Sequence, residues 1–216
     1  MAGRYENPIK LTELFQNSYT KGNTMPHILI LNGSPSAESR TGRLLDHFAE
    51  QLSLDGWSVN QIALRTLPAQ ALLSADLDAL PLVSARLAVE AADAIVVATP
   101  VYKGAYTGLL KAFIDTLPHR ALVDKSVLPI ASGGTLAHYG VIDHVLKPLL
   151  AALGATYTLP GIFVLDSDLK TPQGVHGFNA EIVERLENAR LALRRLHRLD
   201  ADAVPETNTH LLQYES

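Results

Sequence analysis

The chain has 216 residues, with 18 lysines and arginines against 22 aspartates and glutamates, so its formal net charge is −4, and it contains no cysteine. The missing cysteine excludes a disulfide framework, a thiolate metal site, an iron–sulfur cluster and a cysteine nucleophile. With 47% hydrophobic and 19% charged residues the chain can build a core, and its mild acidity argues against a nucleic-acid binder.

The two ends of the chain differ in character from its middle. Residues 1–24 are polar and lack the apolar stretch of a signal peptide, and we interpret them as an N-terminal extension, either poorly ordered or a tag. One domain is expected over 25–198, followed by a polar C-terminal tail over 199–216. No apolar run approaches the roughly 20 residues that span a bilayer, so we expect a soluble, cytoplasmic protein.

Short apolar runs alternate with amphipathic stretches along this domain. In chain order the pattern predicts strand 27–32, helix 40–54, strand 57–64, a loop or short helix over 65–80, helix 81–92, strand 93–100, helix 107–117, strand 125–134, helix 137–153, strand 155–165, a loop over 166–178 and helix 179–198. Five strands separated by helices predict a parallel sheet covered on both faces, an α/β sandwich in the doubly wound flavodoxin-like order 2-1-3-4-5.

Ligands of such sheets bind beyond the carboxyl ends of the strands, at the switch in strand order, which selects the loops after strands one, three and four. The first of these loops, GSPSAESRTG over 33–42, has small hydroxyl side chains, the permanent cation Arg40 and the start of a helix. This combination favours a phosphate-monoester site over an ordinary Ser/Gly turn with a helix cap. The loop is neither a Walker loop nor a G-x-G-x-x-G fingerprint.

The other two loops suit the rest of a mononucleotide. TPVYKGAYTG over 99–108 can lie along a flat heteroaromatic ring, although its tyrosines could instead pack on the core. ASGGTLAHYG over 131–140 can offer bare backbone and amides to ring carbonyl oxygens, although it could be only a glycine turn entering a helix. Together the three loops predict a flavin mononucleotide, FMN.

The same segments resemble the NAD(P)H-dependent FMN reductases. The resemblance rests on GSP…SR, ATPVYKGAYTGLLKAFIDTLP, LPIASGGTLAH and DHVLKPLL, in register from Met25 to about Asp168. The closest group is the reductase component of two-component alkanesulfonate and methanesulfonate monooxygenases. The resemblance implies a flavodoxin-like homodimer or homotetramer that reduces FMN with NADH or NADPH. It further implies that reduced FMN passes to a separate FMNH2-dependent sulfonate monooxygenase for sulfur acquisition.

By motif position, the resemblance also assigns a cofactor-binding role to twelve residues. The flavin phosphate would be held by Ser34, Ser39, Arg40 and Thr41, the ring lined by Pro100, Val101, Tyr102 and Lys103, and its polar edge met by Ser132, Gly133, Gly134 and Thr135. No catalytic acid or base is assigned, because hydride passes from nicotinamide to flavin N5 while the protein supplies orientation.

One helix position departs from the alkanesulfonate reductases. The alkanesulfonate reductases typically have an inserted tyrosine there, in a π-helical turn at the subunit interface, whereas this chain has His144 and so more closely resembles the methanesulfonate branch. Pro148 has no amide hydrogen, so the carbonyl of His144 loses its helical partner, and either a π-bulge or a proline kink would absorb this defect. We expect His144 and Pro148 to lie at a subunit interface.

Two alternative functions stay open. The first is a flavoprotein that retains FMN and reduces quinone, azo or metal-oxyanion acceptors, and the second, from another class, is an electron carrier that resembles flavodoxin. No metal site is expected, because the six-residue spacing puts His138 and His144 on different helix faces. Asp166, Asp168 and His176 lie in a polar loop and are expected to be solvated.

Overall fold

A computed structural model describes residues 25–170 and 177–199 of the chain. The predicted N-terminal extension, His176 and the predicted tail beyond Leu199 lie outside these residues. Within them no helix has the length and apolarity needed to cross a membrane.

A parallel sheet forms the centre of the described structure. Its strands are β1 (His27–Asn32), β2 (Ser58–Ala63), β3 (Ala94–Pro100), β4 (Ser126–Gly133), β5 (Tyr157–Thr158) and β6 (Ile162–Leu165). Their order is β2-β1-β3-β4, with β5 and β6 both parallel to β4 and paired with successive parts of it. The predicted flavodoxin-like order is therefore confirmed, and the switch in strand order lies between β1 and β3.

The predicted fifth strand is interrupted. Val127 pairs with Thr158 and Ile130 pairs with Ile162, so the pairs lie three residues apart on β4 but four apart on the other chain segment. The extra residue is a bulge. Pro160 lies within it, and a proline cannot donate a ladder hydrogen bond, so a continuous strand over 155–165 is ruled out.

Six α-helices and three short 3₁₀ turns connect the strands in the described residues. The helices are α1 (Arg40–Leu54), α2 (Ala69–Ser74), α3 (Leu80–Ala91), α4 (Gly108–Ile114), α5 (Lys147–Ala152) and α6 (Ala180–Leu196), and the turns are Leu64–Thr66, Leu136–His138 and Asp168–Lys170. The segment Ile142–Leu146 is π-helical and runs directly into α5. The helix predicted to begin at 137 begins only at about 141, because Gly140, a poor helix former, separates it from a 3₁₀ turn.

Each face of the sheet has its own apolar layer. On β1, Ile28 and Ile30 are buried in the cluster that contains α1 and α6, whereas Leu29 and Leu31 are buried in the cluster that contains α3 and α4. Successive side chains of a strand point to opposite faces, so an all-apolar strand needs cover on both sides. This double cover fixes the sheet and leaves the carboxyl ends of β1, β3 and β4 as neighbours at one edge.

Candidate functional site

The loop after β1 leaves the strand in close contact with β3 and α4. Gly33 donates its backbone N–H to the carbonyl oxygen of Ala98 at 2.7 Å, and its own carbonyl accepts the Thr107 hydroxyl at 2.7 Å. A Cβ on Gly33 would lie 3.0 Å from the Ala98 oxygen and 3.1 Å from Leu110 Cβ, so a larger residue would push these elements apart. Glycine is therefore required here by a close backbone approach.

Polar side chains of the loop shape its backbone. The Asn32 side-chain oxygen accepts the backbone N–H of Ser34 at 3.0 Å, and the Ser34 hydroxyl accepts that of Ser36 at 3.3 Å. Both Asn32 and Ser34 are buried, at 6% and 3% exposure. The Ser34 hydroxyl, assigned to phosphate binding in the sequence, therefore already holds the loop.

The start of α1 supplies free donors at this loop. Ser39 is the residue that caps the helix, and its hydroxyl accepts the backbone N–H of Gly42 at 3.2 Å. The backbone N–H groups of Arg40 and Thr41 belong to the first turn, where a helix provides no hydrogen-bond acceptor. Neither group has an acceptor elsewhere within the described residues. Such amides, together with the positive end of the helix dipole, bind phosphate readily.

Arg40 faces the carboxylate of Asp166, a residue for which the polar loop sequence predicts only contact with solvent. Its guanidinium lies 3.9 Å from the Asp166 carboxylate, with the two side chains 38% and 45% exposed. Asp166 follows β6, and its backbone N–H donates to the carbonyl of Gly133 at 3.0 Å, which holds it at the same edge of the sheet. Asp166 is thus a site residue that sequence reasoning missed, because no local motif links it to Arg40.

A buried hydroxyl pair joins the first loop to the loop after β4. The Thr41 and Ser132 hydroxyls are 2.8 Å apart and separated by 91 residues in sequence. Both residues are buried, at 3% and 2% exposure. The structure therefore brings two of the three predicted residue groups into direct contact.

The loop after β3 turns tightly at its tip. Tyr102 and Ala105 exchange two backbone hydrogen bonds of 2.9 and 3.1 Å, and both central residues have positive φ, 54° for Lys103 and 78° for Gly104. This is the pattern of a type I′ turn. It leaves Tyr102 51% exposed, while Val101 before it is buried at 8%.

Two backbone contacts fasten this loop to β4. Pro100 is paired with Ser132 in the sheet, and Val101 donates its backbone N–H to the Ser132 carbonyl at 2.7 Å. The assigned residues Pro100 and Val101 therefore border the loop after β4. Tyr102 and Lys103 lie in the exposed turn, away from this contact.

The two glycines after β4 have different surroundings. The space that a Cβ of Gly133 would need is taken by His138 Nδ1 at 3.2 Å and Phe163 Cζ at 3.3 Å. Gly134 is exposed, and only the Asp166 carboxylate approaches it, at 3.8 Å. The bare backbone in this loop is therefore that of Gly134.

The rest of the loop after β4 is exposed and partly apolar. The Thr135 hydroxyl accepts the backbone N–H of Ala137 at 3.3 Å and so caps the short 3₁₀ turn. Leu136 and Tyr139 are 66% and 56% exposed, and the Tyr139 ring packs edge-on against Phe163 at a centroid distance of 5.8 Å. Exposed apolar side chains at a polar strand edge suit a flat aromatic ligand.

The helix after this loop has a π-helical segment where Pro148 removes a donor. The backbone N–H of Lys147 donates to the Ile142 carbonyl, five residues back, in place of the usual four. His144 and Pro148 are both exposed. The Asp143 carboxylate pairs with Lys147 at 2.6 Å, and this hydrogen bond lowers the pKa of Asp143. Of the two expected local structures, the structure has the π-bulge.

These features together fit FMN. The unpartnered amides of the first helical turn and Arg40 match a phosphate, and exposed Tyr102, Leu136 and Tyr139 with bare Gly134 match a flat ring at the same edge. The fold and this edge define a class, the flavodoxin-like proteins that bind a flavin mononucleotide.

The chain belongs to the NADPH-dependent FMN reductase family, whose model matches residues 26–170. An FMN reductase (NADPH) of Pseudomonas putida KT2440 is 39% identical over 183 residues, covering 82% of this chain and 93% of that protein. An FMN reductase (NADPH) of Escherichia coli K12 is 39% identical over 180 residues, covering 83% and 94%.

A solved relative has the same fold. The apo crystal structure of the NADH:FMN oxidoreductase EMOB superposes with a TM-score of 0.74 and 34% identity, over 79% of this chain and 89% of that one. The chain is accordingly a flavin reductase that uses FMN and a nicotinamide nucleotide. Membership of a reductase family decides against the alternative of an electron carrier.

Proposed function

We propose that this protein reduces FMN with NADH or NADPH in the cytoplasm and supplies the reduced FMN to an FMNH2-dependent sulfonate monooxygenase. The observation that carries the flavin site is the contact between Thr41 and Ser132, because it joins the phosphate-type loop to the ring-type loops. The motif resemblance to sulfonate-system reductases supports the choice of partner.

In this proposal the residues of the chain bind and orient FMN, and none of them has to transfer a proton. Arg40 and the amides of Arg40 and Thr41 hold the phosphate, with Ser34 and Ser39 shaping the loop around it. When bound, FMN supplies the chemistry by accepting hydride from the nicotinamide nucleotide.

The remaining assigned residues position the ring. Tyr102 and Lys103 in the exposed turn would line the ring together with Pro100 and Val101, and Gly134 would offer it backbone without a side chain. The remaining residues assigned to the polar edge are Ser132, Gly133 and Thr135. Holding the ring in a reactive orientation is the main contribution such a site makes to the rate.

The electrostatics of the loop favour a flavin that leaves after reduction. Arg40 is more than one-third exposed and faces the Asp166 carboxylate at 3.9 Å, so a phosphate must compete with this carboxylate. The loss of this weak pair lowers the net gain from binding the phosphate, although the charged hydrogen bond that replaces it is itself stronger. This geometry favours FMN as a substrate over the alternative of a reductase that retains FMN and acts on quinone, azo or metal-oxyanion acceptors.

Two assays test the proposal. The purified protein should oxidise NADH or NADPH only when FMN is added, whereas oxidation by tightly bound flavin with an added quinone or azo dye would support the retained-flavin alternative. Mixed with an alkanesulfonate or methanesulfonate monooxygenase, it should support sulfite release. Failure of sulfite release with both monooxygenases, beside normal FMN reduction, would contradict the sulfonate assignment.

We also propose that the π-helical segment lies at an interface between copies of a homodimer or homotetramer. The support is the exposure of His144 and Pro148 on a helix defect of a kind often found at functional sites. His144→Ala should lower the apparent mass in solution, measured by light scattering, while the exposed His119→Ala should not. An unchanged mass for His144→Ala would argue against this interface.

A further inference from the structure

A cavity adjoins the proposed phosphate loop. It has a volume of about 490 Å³ and lies between the loop after β1, the first turns of α1 and the carboxyl end of β2. Its lining includes Ser36, Arg40, Arg43 and Arg65 but no described residue of the loops after β3 and β4. The cavity is therefore on the side of the phosphate loop that faces away from the proposed ring site.

The two faces of the loop carry different residues. Ser34 and Thr41 do not line the cavity, and Thr41 points to the end of β4 through its contact with Ser132. Ser36 to Arg40 line it instead. A phosphate held by the first turn of α1 would thus lie at the border between the two spaces.

Arginines outnumber carboxylates in the lining of this cavity. Arg65 donates from Nε to the carbonyl of Ser36 at 3.3 Å, which holds its guanidinium beside the loop. Arg43 is exposed, and its side chain has no ion pair or hydrogen bond within the described residues. With Arg40, three arginines line the cavity against two carboxylates, Glu38 and Asp46.

One of the two carboxylates is already engaged. Asp46 accepts a hydrogen bond from the Gln61 side-chain nitrogen at 3.0 Å across the cavity wall. Glu38 is exposed and has no described partner. The free side-chain hydrogen-bond donors of the cavity are therefore mainly those of Arg43 and Arg65, and planar guanidinium groups are the side chains best shaped for phosphate.

We propose that Arg43 and Arg65 form a second anion subsite for the phosphate-bearing adenosine half of a dinucleotide. The proposal rests on the proposed FMN site. Two ligands carry this chemistry. In FAD the second phosphate is linked directly to the flavin phosphate, and in NADPH a phosphate sits on the adenosine ribose. A cavity of about 490 Å³ is large enough for such a group, since ligand pockets span roughly 300–1,000 Å³.

Matched variants test the subsite. The double variant Arg43→Gln/Arg65→Gln removes both charges, and Arg120→Gln/Arg195→Gln removes the same charge from two exposed arginines that do not line the cavity. The single variant Arg43→Gln controls for a loosened loop, because Arg65 and not Arg43 donates a hydrogen bond to the Ser36 carbonyl. Binding of FMN, FAD and adenosine 2′,5′-bisphosphate is measured by titration, and KM for NADH and NADPH is measured with FMN.

The subsite predicts a selective loss. The cavity variant should bind adenosine 2′,5′-bisphosphate at least about tenfold more weakly, as expected for lost charged hydrogen bonds, with FMN affinity within about twofold. Selective weakening of FAD identifies FAD as the source of the adenosine half, and a selectively raised KM for NADPH identifies NADPH. Arg43→Gln alone should give a smaller loss in the same direction.

Two results would overturn the subsite. One is an unchanged affinity for every adenosine ligand relative to the control variant, and the other is an equal loss for FMN and FAD, which would make the cavity part of the flavin phosphate site. Binding of adenosine 2′,5′-bisphosphate needs neither flavin nor turnover. A wild-type protein that binds this probe but shows no FMN-dependent oxidation therefore contradicts the proposed function and leaves the subsite supported.

Discussion

At the scale of single residues, the site depends on contacts between side chains that are far apart in sequence. Arg40 and Asp166 illustrate this, because a 3.9 Å pair between a loop after the first strand and a loop after the last has no local signature. The sequence could predict a phosphate-binding role for Arg40, because Arg40 lies at the start of a helix. It could not predict that the Asp166 carboxylate lies beside Arg40.

The proposed competition between Asp166 and the FMN phosphate for Arg40 can be measured. Asp166→Asn removes the negative charge beside Arg40, so FMN should bind about 2–5-fold more tightly, in line with the modest energy of an exposed ion pair. Asp168→Asn, the same change two residues away and outside any described ion pair, is the control. Fluorescence titration gives both constants, and weaker FMN binding to Asp166→Asn would mean that Asp166 supports the site.

At the scale of elements, local patterns predicted what local forces determine. The apolar runs predicted β1 and β3 to within a residue, and the helix over 40–54 was predicted with the bounds it has, because Ser39 caps it and its apolar stripe packs on the sheet. The break between β5 and β6 was missed, although Pro160, which cannot donate a ladder hydrogen bond, marks it in the sequence. The crowding of Gly133 by His138 and Phe163 could not be predicted, because it depends on contacts that form only in the folded chain.

The turn after β3 contains strain that the sequence did not reveal. Lys103 has a φ of 54°, a left-handed conformation that costs an L-residue about 1–2 kcal/mol. Lys103→Gly should therefore stabilise the protein by about 0.5–1 kcal/mol, after the larger chain entropy of glycine is subtracted. Ala75, with a φ of 49° at the end of α2, is the matched position, and Ala75→Gly should stabilise similarly.

Urea unfolding of the ligand-free protein measures both variants. Lys103→Val, with a branched side chain in the same conformation, should destabilise. A destabilised Lys103→Gly beside a stabilised Ala75→Gly would show that the lysine side chain holds the turn and that the backbone is not under net strain there.

At the scale of the whole molecule, the last helix is tied to the first by a buried charge cluster. The Asp55 side chain, only 4% exposed, pairs with Arg190 and with Arg194, the latter at 2.9 Å. The pKa of Arg190 is raised by its hydrogen bond with Glu187 and, less strongly, by Asp55. Asp55 directly follows α1, so the cluster joins the helix that begins at the phosphate loop to the helix that covers its face of the sheet.

Neutralising this carboxylate should weaken the whole fold. Asp55→Asn leaves two half-buried arginines without their shared partner, and we expect a loss of about 2–4 kcal/mol in the free energy of unfolding. Glu184→Gln, an exposed carboxylate on α6 without a described ion pair, should change it by less than about 0.5 kcal/mol. Equal stability of the two variants, measured in urea, would show that α6 is held by its apolar contacts alone.

If the loop after β1 binds the phosphate of FMN, removing the Arg40 side chain should weaken FMN and spare riboflavin. Binding of FMN and of riboflavin, which lacks the phosphate, is compared between the wild-type protein and Arg40→Ala, with Arg195→Ala as an exposed arginine far from the loop. Arg40→Ala should weaken FMN by about 10–100-fold, the worth of a charged hydrogen bond, and leave riboflavin within about twofold. Equal weakening of both flavins would contradict the phosphate assignment.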